Sequence, residues 1–464
     1  MKISSKSLIL LLVVSLLAIS PALWAGGQKE PVKAGAAAPA ATVETVKIQI
    51  MTRDGSAPAR VNNFNDAAKA LNAELEKEKA PQRVEVDAFV KQMTDPEFDK
   101  YFIFAAQSNN SCDIYATNYS KIGWMANGNY LQPLDGIEKA PVLKNLMPGL
   151  WNAVTWQGHI YGVIQDMEAR PIFVFKPALK KLGWTDAQIA ALPGRVESGD
   201  FLLRDFIALA KESVAKGATK YGLLHPTGGS DLAVLFISNG TWFYDEGSQK
   251  FVLDKAKFLE TFQWLEQMGK DQLIPKQFIG VDKNELLKAF VNGQTLFLLA
   301  GVWDEAKWRT SGFHSELGNV SSDWIEQNIG VMFMPASDKS VKPSTISNPW
   351  VYVVPKSTKN PQLIQRLLQA VSVPELQAKH GTESSHIPFT AEGMTAVKDN
   401  AWLTKVGFLL KSTKFMPLHP DKPKFEKILS ESTSNVVTGK MTSAQAVEWM
   451  EKQMKLDMGD IIVK

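Results

Sequence analysis

Strand-like and helix-like patterns alternate along most of this chain, and that alternation limits its fold more than any other feature. Residues 46–51 (VKIQIM) carry the period-two pattern of a strand and stop at Thr52-Arg53-Asp54-Gly55, which reads as a loop. Over residues 65–78, Ala67, Ala68, Leu71 and Leu75 recur at helical spacing, with Asn63 or Asn65 placed to cap the helix. Residues 84–90 alternate again, 95–107 predict a second helix, and 112–116 a third strand. An order of this kind argues for a parallel sheet with helices on both faces. It returns further on, with helices predicted at 201–216, 254–268 and 283–292 and strands at 220–224 and 296–299. Two open sheets in 464 residues predict two lobes, and such sheets bind ligands outside the carboxyl ends of their strands. A cleft between lobes follows.

One segment breaks the pattern. Gln157-Gly158 is a two-residue turn signal between apolar and aromatic residues, so residues 155–163 read as a β-hairpin. The next run, 164–175, is strand-like but carries Asp166, Glu168 and Arg170 two residues apart, on one face of an extended chain. Three charges on one face are not buried unpaired, so that face lines water, a ligand or an ion-pair network.

The N-terminus predicts export. Lys2 and Lys6 precede an apolar run, 8–19, interrupted only by Ser15, and Ser20-Pro21-Ala22-Leu23-Trp24-Ala25 supplies a break and small residues. Residues 1–25 therefore read as a secretory signal peptide cleaved after Ala25, with a retained anchor as the alternative. Residues 26–42, rich in Gly, Ala and Pro, have too little apolar surface to fold and read as a flexible linker. The single cysteine, Cys112, leaves no internal disulfide, so packing alone must stabilise an exported fold. A net charge of +3 with interspersed signs, and no basic stripe between stacking aromatics, argue against nucleic acid. Six scattered histidines form no metal-ligand pattern, and no HExxH or GxSxG motif is present.

Several motifs resemble those of the solute-binding proteins of ABC sugar importers, maltose-binding-protein-like members of solute-binding protein family 1. They are Trp156-x-Gly158-x-x-Tyr161-Gly162-Val163 followed by Lys176-Pro177-Ala178-Leu179; Gly123-Trp124 with Pro133-Leu134-Asp135; Leu192-Pro193-Gly194-Arg195 with Gly199-Asp200-Phe201; Phe290-Val291-Asn292-Gly293 with Gly301-Val302-Trp303; Asn348-Pro349-Trp350; His386-Ile387-Pro388; and Gly439-Lys440-Met441-Thr442 with Ala446. The matches run in family order from about residue 46 to 458. The resemblance implies an α/β, two-lobed periplasmic-binding-protein fold of type II, each lobe an open, mostly parallel sheet flanked by helices, joined by a multi-segment hinge. Lobe I would comprise 43–165 plus 352–387, and lobe II 166–349 plus 388–464. It implies a periplasmic or extracytoplasmic monomer without cofactor that binds a sugar or oligosaccharide and delivers it to an ABC permease in the inner membrane. The cysteine that anchors lipidated relatives is missing, since Gly26 follows Ala25.

A sugar presents an apolar face and a rim of hydroxyls, so its site needs aromatic faces and planar hydrogen-bonding side chains. Thirteen tryptophans suit that need, and Trp303, at the carboxyl end of the 296–299 strand, takes the position of a family ligand-stacking residue. The expected binding set is Trp303, Asp304 and Trp350; Asp166, Glu168 and Arg170 at the first crossover; Arg53, Asp54, Asn118 and Tyr119 at strand ends of lobe I; and Phe425, where relatives carry a late aromatic. No catalytic residue and no metal ligand is expected. The competing readings are a binding protein for a non-sugar solute (amine, metal or oxyanion) and a secreted glycosidase using Asp166 and Glu168. Two residues apart on one strand, those carboxylates stand about 7 Å apart at the backbone, and glycosidase pairs usually come from different elements.

Overall fold

A computed structural model describes residues 43–464, except Ser56 and Pro148. The expected signal peptide and linker lie outside the described residues. In chain order the elements that build the site begin with β1 (Glu44–Thr52), α1 (Ala59–Lys77), β2 (Gln82–Val90), α2 (Asp95–Gln107), β3 (Ile114–Asn118), α3 (Ile122–Asn127) and β4 (Gly162–Ile164). There follow β5 (Ile172–Phe175), β6 (Tyr221–Leu224), α4 (Gly229–Ile237), β7 (Thr295–Leu299), α5 (Asp304–Thr310) and β8 (Ile329–Met332). The last are β9 (Thr345–Ser347), β10 (Trp350–Val353), α6 (Pro361–Val371), α7 (Pro374–Ser384), β11 (Thr413–Phe415) and α8 (Lys422–Val437).

Two sheets carry the two lobes. The first has the order β2-β1-β3-β10-β4 and the second β8-β5-β7-β6. β1 pairs in parallel with β2 and β3, whereas β10 runs antiparallel to both β3 and β4. In the second sheet β7 and β6 are parallel, and β5 runs antiparallel to β7 and β8. Each sheet thus has one reversed strand, and it is the strand entering from the opposite lobe. The mostly parallel sheets expected from the sequence take this form because a chain crossing a cleft enters the new sheet from the end at which the native strands leave it.

Local sequence explains most boundaries. α2 begins at a capping box, with Thr94 N donating to Glu97 Oε2 at 2.8 Å. α1 starts six residues before the expected 65 because Pro58 presets a helical φ, and Arg60, Val61 and Phe64 extend the buried face. Asn63 therefore sits inside the helix, donating to Leu376 O at 2.9 Å instead of capping. β3 starts at Ile114 rather than Cys112 because the Asp113 carboxylate takes the Gln49 amide at 2.9 Å, leaving the β1–β3 register to begin at Ile50 and Ile114. The hairpin forms as read: Thr155–Trp156 pairs with His159–Ile160 across Gln157 and Gly158, both at positive φ (49° and 84°).

The run 164–175 is not one strand. β4 ends in the first sheet, β5 opens the second, and residues between them cross from lobe to lobe. Met167 N donates to Ile387 O at 2.8 Å and Ile387 N returns to Met167 O at 3.0 Å, so the third crossing lies alongside the first. Asn348 and Pro349 make the second crossing, with Gln165 N on Trp350 O at 2.8 Å. Glu168 N donates to Ser347 Oγ and Arg170 N to Thr345 Oγ1. Three chains bonded side by side form the hinge.

The segment leading from β11 into α8 also touches lobe I. Tyr119 Oη donates to Met416 O at 2.6 Å, and a Cβ on Gly123 would stand 2.3 Å from Leu418 O. Only glycine lets α3 approach that backbone so closely. Gly123→Ala should therefore destabilise the fold by about 1–3 kcal/mol, read as a lower midpoint in urea unfolding at unchanged slope.

Candidate functional site

Arg60 is where α1 of lobe I meets the hinge. Its side chain is 1% exposed and donates four hydrogen bonds: Nε to Gln165 Oε1 (3.1 Å), Nη1 to Asp54 Oδ2 (3.2 Å), and Nη2 to Asp166 Oδ2 and His386 Nε2 (3.0 Å each). Because Arg60 only donates, His386 Nε2 must accept, and the ring is neutral with Nδ1 donating to Ser384 Oγ at 2.9 Å. Burial holds the His386 pKa down at about 3, against the raising pull of Asp166. His380 on α7 donates Nε2 to Asp166 Oδ2 at 3.0 Å, and its Nδ1 has no partner among the described residues. Its pKa is also lowered, chiefly by burial. Burial pulls the Asp166 carboxyl upward, but His386, Arg60 and His380 outweigh it and hold the group well below the usual range.

Asp166, His380 and His386 bring one ligand atom each to within 4.8 Å of one another, the spacing of a metal site. The Arg60 guanidinium sits 3.0 Å from two of the three, so the place a cation would take already holds a positive charge.

A second set of charges faces lobe II. Arg170 donates Nε to Asp231 Oδ1 at the start of α4, and its Nη1 lies 3.1 Å from Glu168 Oε2. Burial raises the Glu168 pKa to about 7; Arg170 opposes the rise and Asp166 adds to it. The Arg170 guanidinium lies 4.9 Å from the centre of the Trp303 ring, and Lys283 Nζ 4.7 Å. Trp303 also stacks on His386, 5.7 Å between centroids at 8°. Its position follows from local sequence: a Cβ on Gly301 would lie 2.3–2.4 Å from the indole, so the ring folds back over a glycine. Gly301 N donates to Asp304 Oδ2 at 2.8 Å, which closes the turn.

The structure thus gathers Asp166, Glu168, Arg170 and Trp303 at the hinge, with Arg53 and Asp54 beside them. Asp54 is bound by Arg60, and Arg53 bonds Asp95 at 3.0 Å and lies 5.2 Å from the Trp350 ring centre. Four other candidates need correction. Phe425 is fully buried in lobe II, 4.9 Å from Phe251 and 5.2 Å from Phe243, because its face of α8 is the core face. Tyr119 is fully buried by its bond to Met416. Asp304 is fully buried as the partner of the Gly301 amide and of Lys283 Nζ (2.5 Å). Trp350 is 6% exposed, with Arg60 at 4.0 Å from its ring centre, so it supports the arginine rather than offering an open face. Asn118 is half-buried and spends its side chain on Ser120 N and Asn348 O (3.1 Å each).

Arg60, His380, His386, Asp231 and Lys283 are site residues that sequence reading did not place in the binding set, although His386 stood in a crossing motif. Arg60 had a usable signal: a lone arginine between Ala59 and Val61 on what proves an apolar helix face. Asp231 follows the Thr227-Gly228-Gly229-Ser230 loop, and only tertiary packing brings it to Arg170.

The sequence matches the family model described as bacterial extracellular solute-binding protein over residues 62–378. No match is found among curated proteins. Among solved structures, the chain is similar to the GacH receptor of Streptomyces glaucescens, studied unliganded and with acarbose, at 18% identity and a TM-score of 0.67, covering 90% of this chain and 99% of that one. It is similar to a cyclo/maltodextrin-binding protein complexed with maltotetraose (16%, 0.67, 90% and 98%). It is also similar to the sugar-binding protein MalE of Xanthomonas citri (16%, 0.66, 89% and 100%). At these identities the likeness shows the fold.

Two expectations follow from the buried charges. Arg60→Met strips Asp166 of its cation and should cost about 3–5 kcal/mol, measured by denaturant unfolding. Glu168 has a raised folded pKa, so its contribution to stability is full below about 4.5 and is lost as pH rises through about 7. Glu168→Gln removes that loss. Its thermal midpoint, compared with wild type at each pH, should improve steadily from pH 4.5 to 8, whereas a parallel offset would contradict the assigned shift.

Proposed function

The chain belongs to the bacterial extracellular solute-binding proteins, and from that membership we propose that it is the exported substrate-binding component of an ABC importer. It takes a sugar or oligosaccharide between its lobes and hands it to a membrane permease. The observation that carries this reading is the placement of Trp303. Its indole is half-buried at the carboxyl end of β7, beside the hinge, among Arg170, Glu168 and Asp231. An aromatic face ringed by planar hydrogen-bonding groups is what a pyranose requires. The ligands named for similar structures, acarbose, maltotetraose and maltose, support the same class. Export rests on the signal-like segment 1–25, and the lobe limits on the crossings at 165–171, 348–349 and 385–390.

The mechanism is a change of lobe angle. Three short crossings allow rotation with few dihedral changes, and contacts a ligand makes to both lobes favour the closed form, because only such differential contact drives closure. Arg53 and Asp54 would contribute from lobe I, Trp303 from lobe II, and Glu168 and Arg170 from the hinge itself. The carboxylates do not suit glycoside hydrolysis. Asp166 is committed to Arg60 and His380 and held ionised, so it offers neither a proton nor a free nucleophile.

Purified mature protein should bind a mono- or oligosaccharide reversibly and return it unaltered after long incubation; recovery of cleaved sugar would overturn the binding role. Trp303→Ala should weaken that binding by about 1–3 kcal/mol in titration calorimetry, with the circular dichroism spectrum preserved.

A further inference from the structure

The charges around Trp303 do not balance among the described residues. Asp54 and Asp166 share Arg60, Glu168 and Asp231 share Arg170, and Lys283 pairs with Asp304. Two further cations, Arg53 and Lys422, have carboxylates of their own in Asp95 and Glu426. Histidine does not make up the difference, because burial lowers the pKa of His225, His380 and His386 and keeps all three neutral. One carboxylate is in excess at Arg60 and another at Arg170.

The second excess is buried at Glu168, which is 4% exposed. Its Oε2 has no hydrogen-bond partner among the described residues. Arg170 Nη1 lies 3.1 Å away but donates to Ile346 O, and Arg170 Nε is taken by Asp231. His386 Nε2 stands 3.9 Å from Glu168 Oε1 with its lone pair turned to Arg60, so it offers no proton. Burial of a carboxyl so poorly met raises its pKa to about 7, and the site holds a proton where a cation is missing.

His225 gives an independent sign. It follows β6 at the carboxyl end of the strand and is 2% exposed. Its Nδ1 lies 3.0 Å from Pro226 O, and a carbonyl only accepts, so Nδ1 carries the proton and Nε2 a lone pair. That Nε2 is buried without a partner, as is Asp304 Oδ1. The charge of Asp231 acts on both His225 and Glu168, which places them around one carboxylate. Buried polar atoms are ordinarily hydrogen-bonded, and the three unmet ones here are all acceptors. A ligand that satisfies them brings donors, and one that also balances the charge brings a cation. An ammonium does both, with three donors and no acceptor. A uronate or sugar phosphate does neither.

We propose that the ligand of the Trp303 site is a sugar bearing a protonated amine, its ammonium seated against the Glu168 carboxylate and a neighbouring donor on His225 Nε2. The proposal rests on the sugar-binding reading and narrows it from sugars in general to amino sugars. Trp303 suits the same group, since its ring already attracts the Arg170 and Lys283 cations.

The test is titration calorimetry with matched sets that differ only in one substituent, at a pH where the amines are protonated. The sets are glucose, galactose and mannose, each with its 2-amino and N-acetylamino counterparts, and cellotetraose with tetraglucosamine and tetra-N-acetylchitotetraose. Within a set that binds, the free amine should bind about tenfold more tightly than the hydroxyl or acetamide, the gain of a charge-assisted over a neutral hydrogen bond. Glu168→Gln keeps the shape of the side chain and removes its charge, and it should cut the advantage of the amine to less than about threefold. A hydroxyl or acetamide that binds as tightly as the amine overturns the proposal and leaves the sugar reading standing; this comparison needs no variant. An advantage that persists in folded Glu168→Gln also overturns it, because the amine would then be met elsewhere. Wild type that binds none of the probes overturns the sugar reading and the proposal with it.

Discussion

A single guanidinium holds this hinge in register. Arg60 reaches from the first helix of lobe I to Gln165 and Asp166 on the first crossing and to His386 on the third, while its own carbonyl accepts from Tyr352 Oη at 2.8 Å on β10 beyond the second. Trp350 packs against its flat face. A buried arginine of this kind is stable only if every donor is met and the opposing charge is equally buried, and Asp166, 1% exposed, meets that condition. The consequence runs outward. His386 must be neutral to accept from Arg60, a neutral His386 stacks on Trp303, and Trp303 is thereby fixed against the hinge at the mouth of lobe II.

The charged segment divides its work along its length, from one face. Asp166 faces lobe I partners, and Glu168 with Arg170 faces Asp231 in lobe II. The odd-numbered neighbours Met167 and Ala169 turn the other way, into the core. Strand geometry thus allows one seven-residue crossing to satisfy opposite lobes without any loop to accommodate the change. Asp166 ionises easily because the Arg60 guanidinium and N–H donors surround it, while Glu168, with one arginine shared against Asp231, keeps its proton to near neutral pH.

Glycines mark the places where the lobes and their turns come closest. Gly301 gives Trp303 room to fold back, and Gly123 lets α3 touch the backbone at Leu418. Both stand in motifs that the sequence presents beside aromatic residues, and the physical reason is the same in each: a Cβ would stand where a ring or a carbonyl already is.

Much of this was legible in the amino-acid sequence. Alternating strand and helix patterns are local, so two α/β lobes could be read from spacing, and the Gln157-Gly158 turn from two residues. The period of two in Asp166, Glu168 and Arg170 showed that they share a face, and Gly301-Val302-Trp303 placed an aromatic at a strand end. What those residues face was not local information. The identity of their partners depended on α1 beginning six residues earlier than its cap signals suggested, on α7 bringing His380 alongside, and on Asp231 closing from α4. The same limit explains the corrected residues. Phe425, Tyr119, Asp304 and Trp350 lie near the right positions along the chain, but a helix or strand presents each side chain to one side only. Which side each takes was decided by how α8, the turn between β3 and α3, α5 and β10 pack, since burial of their apolar faces outweighs any preference of a single residue.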